Sequence, residues 1–432
     1  MRQKLHLCPP QGFMGDPNGL CFFGGKYHVC FQYYPKTRER KGSACWGHFE
    51  SADLISWLFT GTIIEPDAPW EKNGAYSGCA VASAEKIEFF YTGNVKEDGE
   101  HDYITSGRRA YVLRAESRDG RNVGKKQVLL SNEDYPSFCS CHVRDPAVFY
   151  ENGVRRMVLG ARTLSSEGCV LFYEESGGKW RYVKSLSAPN LGYMWECPNV
   201  FAFNGQKYLS VCPQGAPLGN FERQNENGAG YFPFEDFLGA YHEWDGGFDF
   251  YAPQTFRAPD DRVLLFAWLG VPDTPYDTPE QNCLSLPREL SESNGEILQN
   301  PARELLSLRG ERVDLQSGET ACVCLPFDME ICSAGDFEIS FCGVFMTYSS
   351  GVFTLVFADE AVGGGRNTRR VKISPCGNAR IIADTSSIEI FLAHGRKTLS
   401  TRFFPQSENA AIRISGGDAR IYDVDGIAVE MN

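Results

Sequence analysis

The sequence has little that would place the chain in a membrane or on a polyanion. Its longest apolar run, from Val263 to Val271, is too short to cross a bilayer, and Pro9 and Pro10 interrupt the N-terminus before any stretch of signal-peptide length. The net charge is -13, and no block of Lys or Arg offsets it locally, so nucleic-acid phosphates and anionic lipids are repelled. We therefore expect a cytoplasmic protein that binds neither nucleic acid nor membranes; a homo-oligomer is compatible with this composition.

Cysteine is plentiful, but its arrangement favours neither a disulfide framework nor a metal site. The 16 cysteines are scattered over 432 residues without a secretory signal, which favours free and mostly buried thiols. Cys139/Cys141 and Cys322/Cys324 are spaced as CxC, a poor arrangement for zinc. We expect no metal and no cofactor.

Long stretches of helical periodicity are also scarce. Short aromatic and β-branched runs alternate instead with Gly, Asn, Asp and Pro, which is typical of an all-β fold. Five segments repeat one plan, a short motif followed by two apolar strands joined by a turn, and they begin about 52 to 67 residues apart. That interval suits four strands and their loops, the unit of a propeller blade. The segments begin at Asp16, Ser77, Arg144, Glu196 and Ala252.

The pattern changes near residue 300. The stretch NPARELLSLRG predicts a short helical connector at 300–311, whose leucines are available to pack between domains. Short alternating strands at the spacing of a β-sandwich follow it. We therefore predict a five-bladed β-propeller over residues 1–299 and a C-terminal β-sandwich over residues 312–432.

Three of the five repeats carry an acid where their first strand should line the central channel. They are Asp16 in MGDPNG, Asp145 in VRDPAV and Glu196 in WECPNV. Each motif alone is weak, since DPNG is a common turn sequence, but their order and shared position in the repeats make them specific together. Carboxylates are costly to bury near one another, so the arrangement indicates a functional site.

Carboxylates that converge at one channel mouth are the groups that glycoside hydrolysis requires. We expect Asp16 to attack the anomeric carbon and Glu196 to act as acid/base, kept protonated by aromatic neighbours such as Trp195. Asp145, held by Arg144, would stabilise the transition state as a fixed negative group. In a retaining mechanism the carboxyl groups of Asp16 and Glu196 should lie about 5 to 5.5 Å apart.

These motifs extend to a resemblance over nearly the whole chain, to family 32 of the glycoside hydrolases, which includes invertases, sucrose-6-phosphate hydrolases, levanases and inulinases. The resemblance rests on HLCPPQGFMGDPNG, FQYYP, WGHFESADLISW, GAYSGCAV, RDPAVF, WECPNVF, GFDFYAPQTF, LSLPREL and DTSSIEIFLAHG. It implies a propeller joined to a sandwich, retention of configuration, no metal cofactor, and Asp16, Asp145 and Glu196 as the catalytic acids. The implied substrate is a small-molecule β-D-fructofuranoside, with sucrose 6-phosphate or sucrose as the leading candidates.

The resemblance also supplies candidate substrate-binding residues. They are Gln32, Trp46, Ser77, Arg144, Asp249, Gln254 and Trp268. Three of them have open alternatives, because Trp46 and Trp268 would equally suit packing in the core and Asp249 would suit a turn cap. For a phosphate on the substrate, the basic residues on predicted mouth loops are candidates, although such residues usually only solvate a surface. They are Arg38, Arg40, Lys41 and Arg223.

One departure from the family pattern leaves the substrate open. The family reads Trp-Met-Asn-Asp at the nucleophile, whereas this chain has Phe13, Met14, Gly15 and Asp16. Loss of one hydrogen-bond donor to the sugar costs ~1 to 3 kcal/mol of binding. The alternatives are an exo-fructosidase for fructo-oligosaccharides or for a modified fructoside, and a non-catalytic carbohydrate-binding propeller.

Overall fold

The computed structural model describes residues 2–37, 40, 42–272 and 282–431, and most of these residues form β-strands. Residues 13–301 form five small sheets. The innermost strand of each sheet contacts the innermost strands of the two neighbouring sheets, which closes a ring around a central channel. The predicted all-β fold, a five-bladed propeller followed by a sandwich, is confirmed.

Each propeller sheet runs outward from the channel as an antiparallel meander. Blade one contains β1 (Phe13–Phe23), β2 (Lys26–Tyr34), β3 (Cys45–Ser51) and β4 (Ser56–Ile64). Blade two contains β5 (Ala75–Ala82), β6 (Ile87–Lys96), β7 (Arg108–Ser117) and β8 (Gln127–Leu130). Blade three contains β9 (Cys139–Glu151), β10 (Val154–Thr163), β11 (Gly168–Ser176) and β12 (Lys179–Ser187). Blade four contains β13 (Met194–Phe203), β14 (Gln206–Gln214), β15 (Gly230–Phe234) and β16 (His242–Glu243). Blade five contains β17 (Tyr251–Arg257), β18 (Val263–Leu269), β19 (Cys283–Leu284), β20 (Arg288–Ser293) and β21 (Glu296–Pro301). Short 3-10 helices lie at Pro69–Glu71, Asn132–Asp134 and Arg303–Leu308.

Two-residue turns explain why the inner two strands of several blades form hairpins. Gly24 and Gly25, Asn152 and Gly153, and Asn204 and Gly205 each join an inner strand to its partner, and all of these residues have positive φ. Such turns match the twist of the flanking strands but need two consecutive left-handed residues, which Asn and Gly adopt at little cost. The sequence pattern of apolar run, turn pair and apolar run therefore specifies the blade locally.

The C-terminal domain is a sandwich of two six-stranded sheets. Its strands are β22 (Arg309–Leu315), β23 (Thr320–Cys324), β24 (Phe327–Cys332), β25 (Phe337–Phe341), β26 (Val344–Ser349), β27 (Val352–Phe357), β28 (Thr368–Lys372), β29 (Asn378–Ala383), β30 (Ser387–Leu392), β31 (Lys397–Arg402), β32 (Asn409–Ser415) and β33 (Asp418–Val424), with one short helix, α1 (Glu360–Gly363). Alternating apolar side chains from the two sheets, such as Met329, Ile381, Leu355 and Ile412, form one core between them.

The boundaries between the two domains differ in detail from the predicted ones. The last propeller strand ends at Pro301, and the first sandwich strand begins at Arg309, inside the predicted connector. A final strand, β34 (Ala428–Met431), leaves the sandwich and pairs in parallel with β4 of blade one. In the connector, Leu305 and Leu308 are buried against both domains, whereas Leu306 is exposed.

A fully buried network of charged side chains joins the two domains. Arg288 of blade five donates to Glu389 of the sandwich at 2.6 and 3.0 Å and to Asp245 at 3.2 Å. His6 lies between Asp384 and Glu389, at 2.8 and 3.1 Å. Burial alone would lower the pKa of His6, but its hydrogen bonds to the two carboxylates raise the pKa to about 10. The imidazolium is thus charged at neutral pH and ties the N-terminus to the sandwich.

Two further features concern the expectations for thiols and membranes. All 16 cysteines lie within the described ranges and are free thiols, most of them buried. Within the described parts of the chain, no helix has the length and apolarity that a membrane crossing needs.

Candidate active site

The five inner strands share one irregularity, which lies at the same end of the channel. In each of them the pairing with the next strand shifts register at this end, between Met14 and Pro17, Tyr76 and Gly78, Arg144 and Ala147, Glu196 and Asn199, or Tyr251 and Gln254, and the pairings of β1 and β9 each shift a second time elsewhere. Proline follows the bulged residue in four of the five strands and cannot donate to the ladder. Bulges of this kind turn side chains away from the regular alternation. They bring the side chains of Asp16, Ser77 and Asp145 to the channel.

The alignment of the three acids differs in one respect from the sequence prediction. Asp16 and Asp145 lie inside their register breaks, whereas Glu196 is the last paired residue before its break. Arg144 and Tyr251 occupy the place of Glu196 in the two neighbouring inner strands. The side chains of both neighbours consequently reach Glu196.

Asp16 has the environment of a nucleophile. It is buried, and its Oδ2 accepts a 2.7 Å hydrogen bond from Ser77, while its Oδ1 is buried without any hydrogen-bond partner among the described residues. Burial raises the pKa of Asp16, and the positive charge of Arg40 and the Ser77 hydroxyl partly offset that rise. One carboxylate oxygen is therefore fixed and the other is left free to react.

Glu196 is held by four donors. Arg144 donates to Oε1 at 2.9 and 2.7 Å, and Gln214 and Tyr251 each donate to Oε2 at 2.8 Å. Burial tends to raise the pKa of Glu196, but the charge of Arg144 and these hydrogen bonds outweigh it and lower the pKa. This corrects the expectation that an apolar setting keeps Glu196 protonated, because Trp195 points into the blade core and donates to Leu191.

Asp145 is the third buried acid. Its backbone N–H donates to Thr92 Oγ1 at 2.8 Å, and its Oδ2 accepts from the backbone N–H of Cys197 at 2.9 Å. Burial raises the pKa of Asp145 to about 7, since the charge of Glu196 opposes ionisation and Arg144 only partly compensates. We expected a fixed negative group, whereas the raised pKa of Asp145 disfavours its ionised form. The Cys197 thiol, whose own pKa is raised by burial, donates to this carboxylate at 3.7 Å.

Of the predicted substrate-binding residues, Gln32 and Trp268 lie beside the acids. Gln32 stands opposite the bulge that contains Asp16, and its Oε1 accepts from Arg40 at 3.0 Å. Trp268 is buried edge-on against Phe13, at a centroid distance of 5.9 Å, and the Arg40 guanidinium lies 5.6 Å from its ring centre. Arg40 thus covers both residues and adds positive charge near Asp16.

Three other predicted residues lie elsewhere. Asp249 is buried at the domain interface, where its Oδ2 accepts from Arg366 and from the backbone N–H of Arg402. Trp46 is fully buried between blades one and two and donates to the Tyr76 carbonyl at 3.0 Å, which is the packing alternative. Gln254 follows the break in β17 and lines a 290 Å³ cavity whose described walls include none of the three acids.

Of the four basic residues that were candidates for binding a phosphate, the structure describes two, Arg40 and Arg223. Arg38 and Lys41 lie outside the described residues. Arg40 reaches the acids, as described above. Arg223 lies in a loop next to the sandwich, where the adjacent Gln224 binds the backbone of Arg370.

The sequence reasoning missed two residues that contact Glu196, namely Tyr251 and Gln214. Tyr251 immediately precedes the repeat that we began at Ala252, so extending the repeat alignment by one residue would have placed it beside Glu196 and Arg144. Gln214 is the last residue of β14 and carries no motif of its own. Its role depends on strand pairing, which sequence letters do not display.

Comparisons with known proteins agree with this geometry. Residues 6–301 match the glycosyl hydrolases family 32 N-terminal domain, and residues 363–426 match the glycosyl hydrolases family 32 C-terminal domain. The chain is 33% identical over 454 residues to a sucrose-6-phosphate hydrolase of Bacillus subtilis, covering 96% of this chain and 91% of the relative. It is 32% identical over 452 residues to a raffinose invertase of Escherichia coli, covering 97% and 93%.

Solved structures show the same relationship. A sucrose-6-phosphate hydrolase from Lactobacillus gasseri superposes with a TM-score of 0.86 at 26% identity, covering 98% of this chain and 93% of that one. A β-fructofuranosidase of Bombyx mori superposes with a TM-score of 0.87 at 26% identity, covering 99% and 94%. The chain therefore belongs to glycosyl hydrolases family 32 and is a glycoside hydrolase.

Proposed function

We propose that this enzyme hydrolyses terminal β-D-fructofuranosides with retention of configuration, and that its substrate is sucrose 6-phosphate or sucrose. The observation that carries the proposal is a pair of carboxylates, Asp16 and Glu196, that differ in how many hydrogen-bond donors surround them. Asp16 presents a free Oδ1, whereas Glu196 is surrounded by donors. Relatives that act on sucrose 6-phosphate and a Bombyx mori β-fructofuranosidase variant in complex with sucrose support the choice of substrate.

The proposed reaction has two steps. Asp16 Oδ1 attacks the anomeric carbon of the fructosyl unit, while Glu196 gives its proton to the departing glycosidic oxygen, and a fructosyl ester of Asp16 forms. Glu196, now ionised, takes a proton from water, which attacks the same carbon and releases fructose from Asp16. Asp145 stabilises the charge on the sugar through hydrogen bonds to its hydroxyls.

The low pKa of Glu196 in the free protein sets a condition on the first step. Glu196 must carry a proton before the leaving oxygen can accept one. The donors of Glu196 stabilise its ionised form. Glu196 therefore takes up a proton more easily when substrate hydroxyls accept the hydrogen bonds that Arg144 or Gln214 otherwise donate to it. We therefore expect substrate binding to raise the pKa of Glu196.

The test measures fructose release from sucrose and sucrose 6-phosphate by the unaltered enzyme and by Asp16→Asn and Glu196→Gln variants. Each variant should lose at least about 100-fold in kcat/KM, while the exposed-site control Glu85→Gln should keep full activity. Folded variants with undiminished activity would refute the assignment. Stereochemistry is read from transfer to methanol, since the methyl fructoside does not mutarotate; an α product would exclude retention.

A further inference from the structure

Arg108, at the start of β7, is a half-buried arginine that forms no salt bridge with any carboxylate in the described part of the chain. Its Nε is buried and lacks any hydrogen-bond partner, and no carboxylate within the described ranges lies at salt-bridge distance from it. The Nε of Arg155 is likewise without a partner, but Arg155 pairs with Glu88 and Arg262 pairs with Glu304, so the charges of both are compensated. Since buried charges are normally paired, an unpaired guanidinium at the edge of a catalytic site indicates a missing anion.

The surroundings of Arg108 are positively charged. Burial and the charge of Arg144 lower the pKa of Arg108, and the charge of Glu196 opposes this only in part. His142, two residues before Arg144 on β9, binds the Tyr103 carbonyl through Nε2 at 2.7 Å, and its Nδ1 is buried with no partner among the described residues. Burial and the charges of Arg144 and Arg108 lower the pKa of His142 to about 3, so it is neutral and adds no further positive charge.

A third arginine extends this region. Arg162, near the end of β10, stacks 4.8 Å from the Tyr193 ring centre and donates to Ser166, and its positive charge also lowers the pKa of His142. We call Arg108, Arg144 and Arg162 the arginine cluster. In a chain with a net charge of -13, this local excess of positive charge favours an anionic ligand.

The position of the cluster relative to the two catalytic acids identifies which part of the substrate it faces. Arg144 binds Glu196, whose proton goes to the leaving oxygen, whereas Asp16 and Ser77 lie on the side of the fructosyl carbon. The cluster therefore lies on the leaving-group side of the scissile bond.

We propose that Arg108, with Arg144 and Arg162, binds an anionic substituent on the leaving-group sugar, and that this substituent is a phosphate monoester. Guanidinium groups match phosphate oxygens with paired hydrogen bonds, and a phosphate would satisfy the orphaned donor of Arg108. The inference rests on the proposed function, since it uses the leaving side that Glu196 defines.

Phosphate binding would also change the protonation of Glu196. A phosphate that accepts hydrogen bonds from Arg144 competes with Glu196 for the same donors, and a weaker hold on Glu196 favours its protonated form. Because Arg144 serves both the acid and the proposed anion, its replacement would not separate the two roles. Arg108 has no contact with Glu196 at hydrogen-bond distance and is the residue to change.

The experiment compares kcat and KM on sucrose 6-phosphate and on sucrose for the unaltered enzyme, Arg108→Ala and Arg108→Lys. Arg108→Ala should lower kcat/KM on sucrose 6-phosphate roughly 10- to 100-fold, mainly through KM, and change that on sucrose less than about twofold. Arg108→Lys should recover part of the loss. The control Arg109→Ala removes the same charge from the adjacent exposed position, which pairs with Glu97, and should leave both substrates unaffected.

Equal losses on the two substrates in Arg108→Ala, or an equal loss in Arg109→Ala, would overturn the anion site while leaving fructoside hydrolysis intact. Failure of the unaltered enzyme to release fructose from either substrate would instead overturn the proposed function. A binding measurement is independent of turnover. Glucose 6-phosphate should bind the unaltered enzyme at least about 10-fold more tightly than glucose, and Arg108→Ala should abolish that difference. Equal binding of the two sugars by the unaltered enzyme would refute the site.

Discussion

Replacement of Asp145 by Asn should stabilise the protein at the same time as it damages catalysis. Burial raises the pKa of Asp145 from its ordinary value of 3.8 to about 7, so ionisation of this carboxyl is unfavourable in the folded state. A gap of about 3 pH between folded and unfolded values corresponds to about 4 kcal/mol at 1.36 kcal/mol per pKa unit. The amide of Asn has the same shape and can still accept the hydrogen bond from Cys197.

The pH dependence gives this prediction its sign. Below about pH 4 the carboxyl is protonated in both states, so the variant has no advantage over the unaltered protein. As the pH rises towards 7, the unfolded chain ionises at Asp145 while the folded chain keeps its proton, and the unaltered protein loses stability that the variant retains. The advantage of Asp145→Asn should therefore grow between pH 4 and 7 and reach its full value above pH 7.

Urea unfolding followed by tryptophan fluorescence at pH 4, 6 and 8 measures this advantage. The exposed control Asp236→Asn should follow the unaltered protein at every pH. Fructose release by Asp145→Asn should fall roughly 100-fold, the loss expected when one transition-state contact is removed. A stability difference between Asp145→Asn and the unaltered protein that does not change with pH would refute the raised pKa.

Three further changes test other contacts. Ser77→Ala removes the 2.7 Å hydrogen bond that lowers the pKa of Asp16, so the acidic limb of the kcat profile, which reports the substrate complex, should move to higher pH, and an unmoved limb would contradict the contact. Tyr251→Phe removes a donor that lowers the pKa of Glu196, so the basic limb should move to higher pH; a shift to lower pH would contradict this. Arg288→Met removes the arginine that two buried interface carboxylates share and should lower the free energy of unfolding by about 3 to 5 kcal/mol in urea titrations, whereas a loss below about 1 kcal/mol would show that the network contributes little.

Much of the fold was predictable from sequence because its signals are local. Turn pairs such as Asn152-Gly153 and the recurrence of one motif after each blade revealed the repeat, and the change of strand spacing near residue 300 revealed the second domain. The return of β34 to blade one was not predictable, since a four-residue exposed strand carries no pattern that names its partner.

The candidate site was predictable only in part, for a related reason. The sequence indicated Asp16, Asp145 and Glu196 because charged residues are unusual in the apolar inner strands. The contacts of Asp249 and Trp46 depend on residues distant in sequence, such as Arg366, so their identities alone gave no indication of where they lie. The prediction for the pKa of Glu196 was wrong because it considered only the aromatic residues near Glu196 in the sequence. The four donors that lower this pKa lie on three other strands, which the sequence around Glu196 does not reveal.

Burial by itself does not fix the direction of the pKa shift of a carboxyl group in this protein, because the supply of hydrogen-bond donors also decides it. At the domain interface, Asp384 and Glu389 are fully buried, yet hydrogen bonds and the charges of His6 and Arg288 lower the pKa of both. In the channel, Asp16 and Asp145 are similarly buried with fewer donors, and the pKa of each is raised. Glu196, which receives four hydrogen bonds in the channel, resembles the interface acids, since its pKa is also lowered. The unpaired guanidinium of Arg108 follows the same logic with the opposite charge.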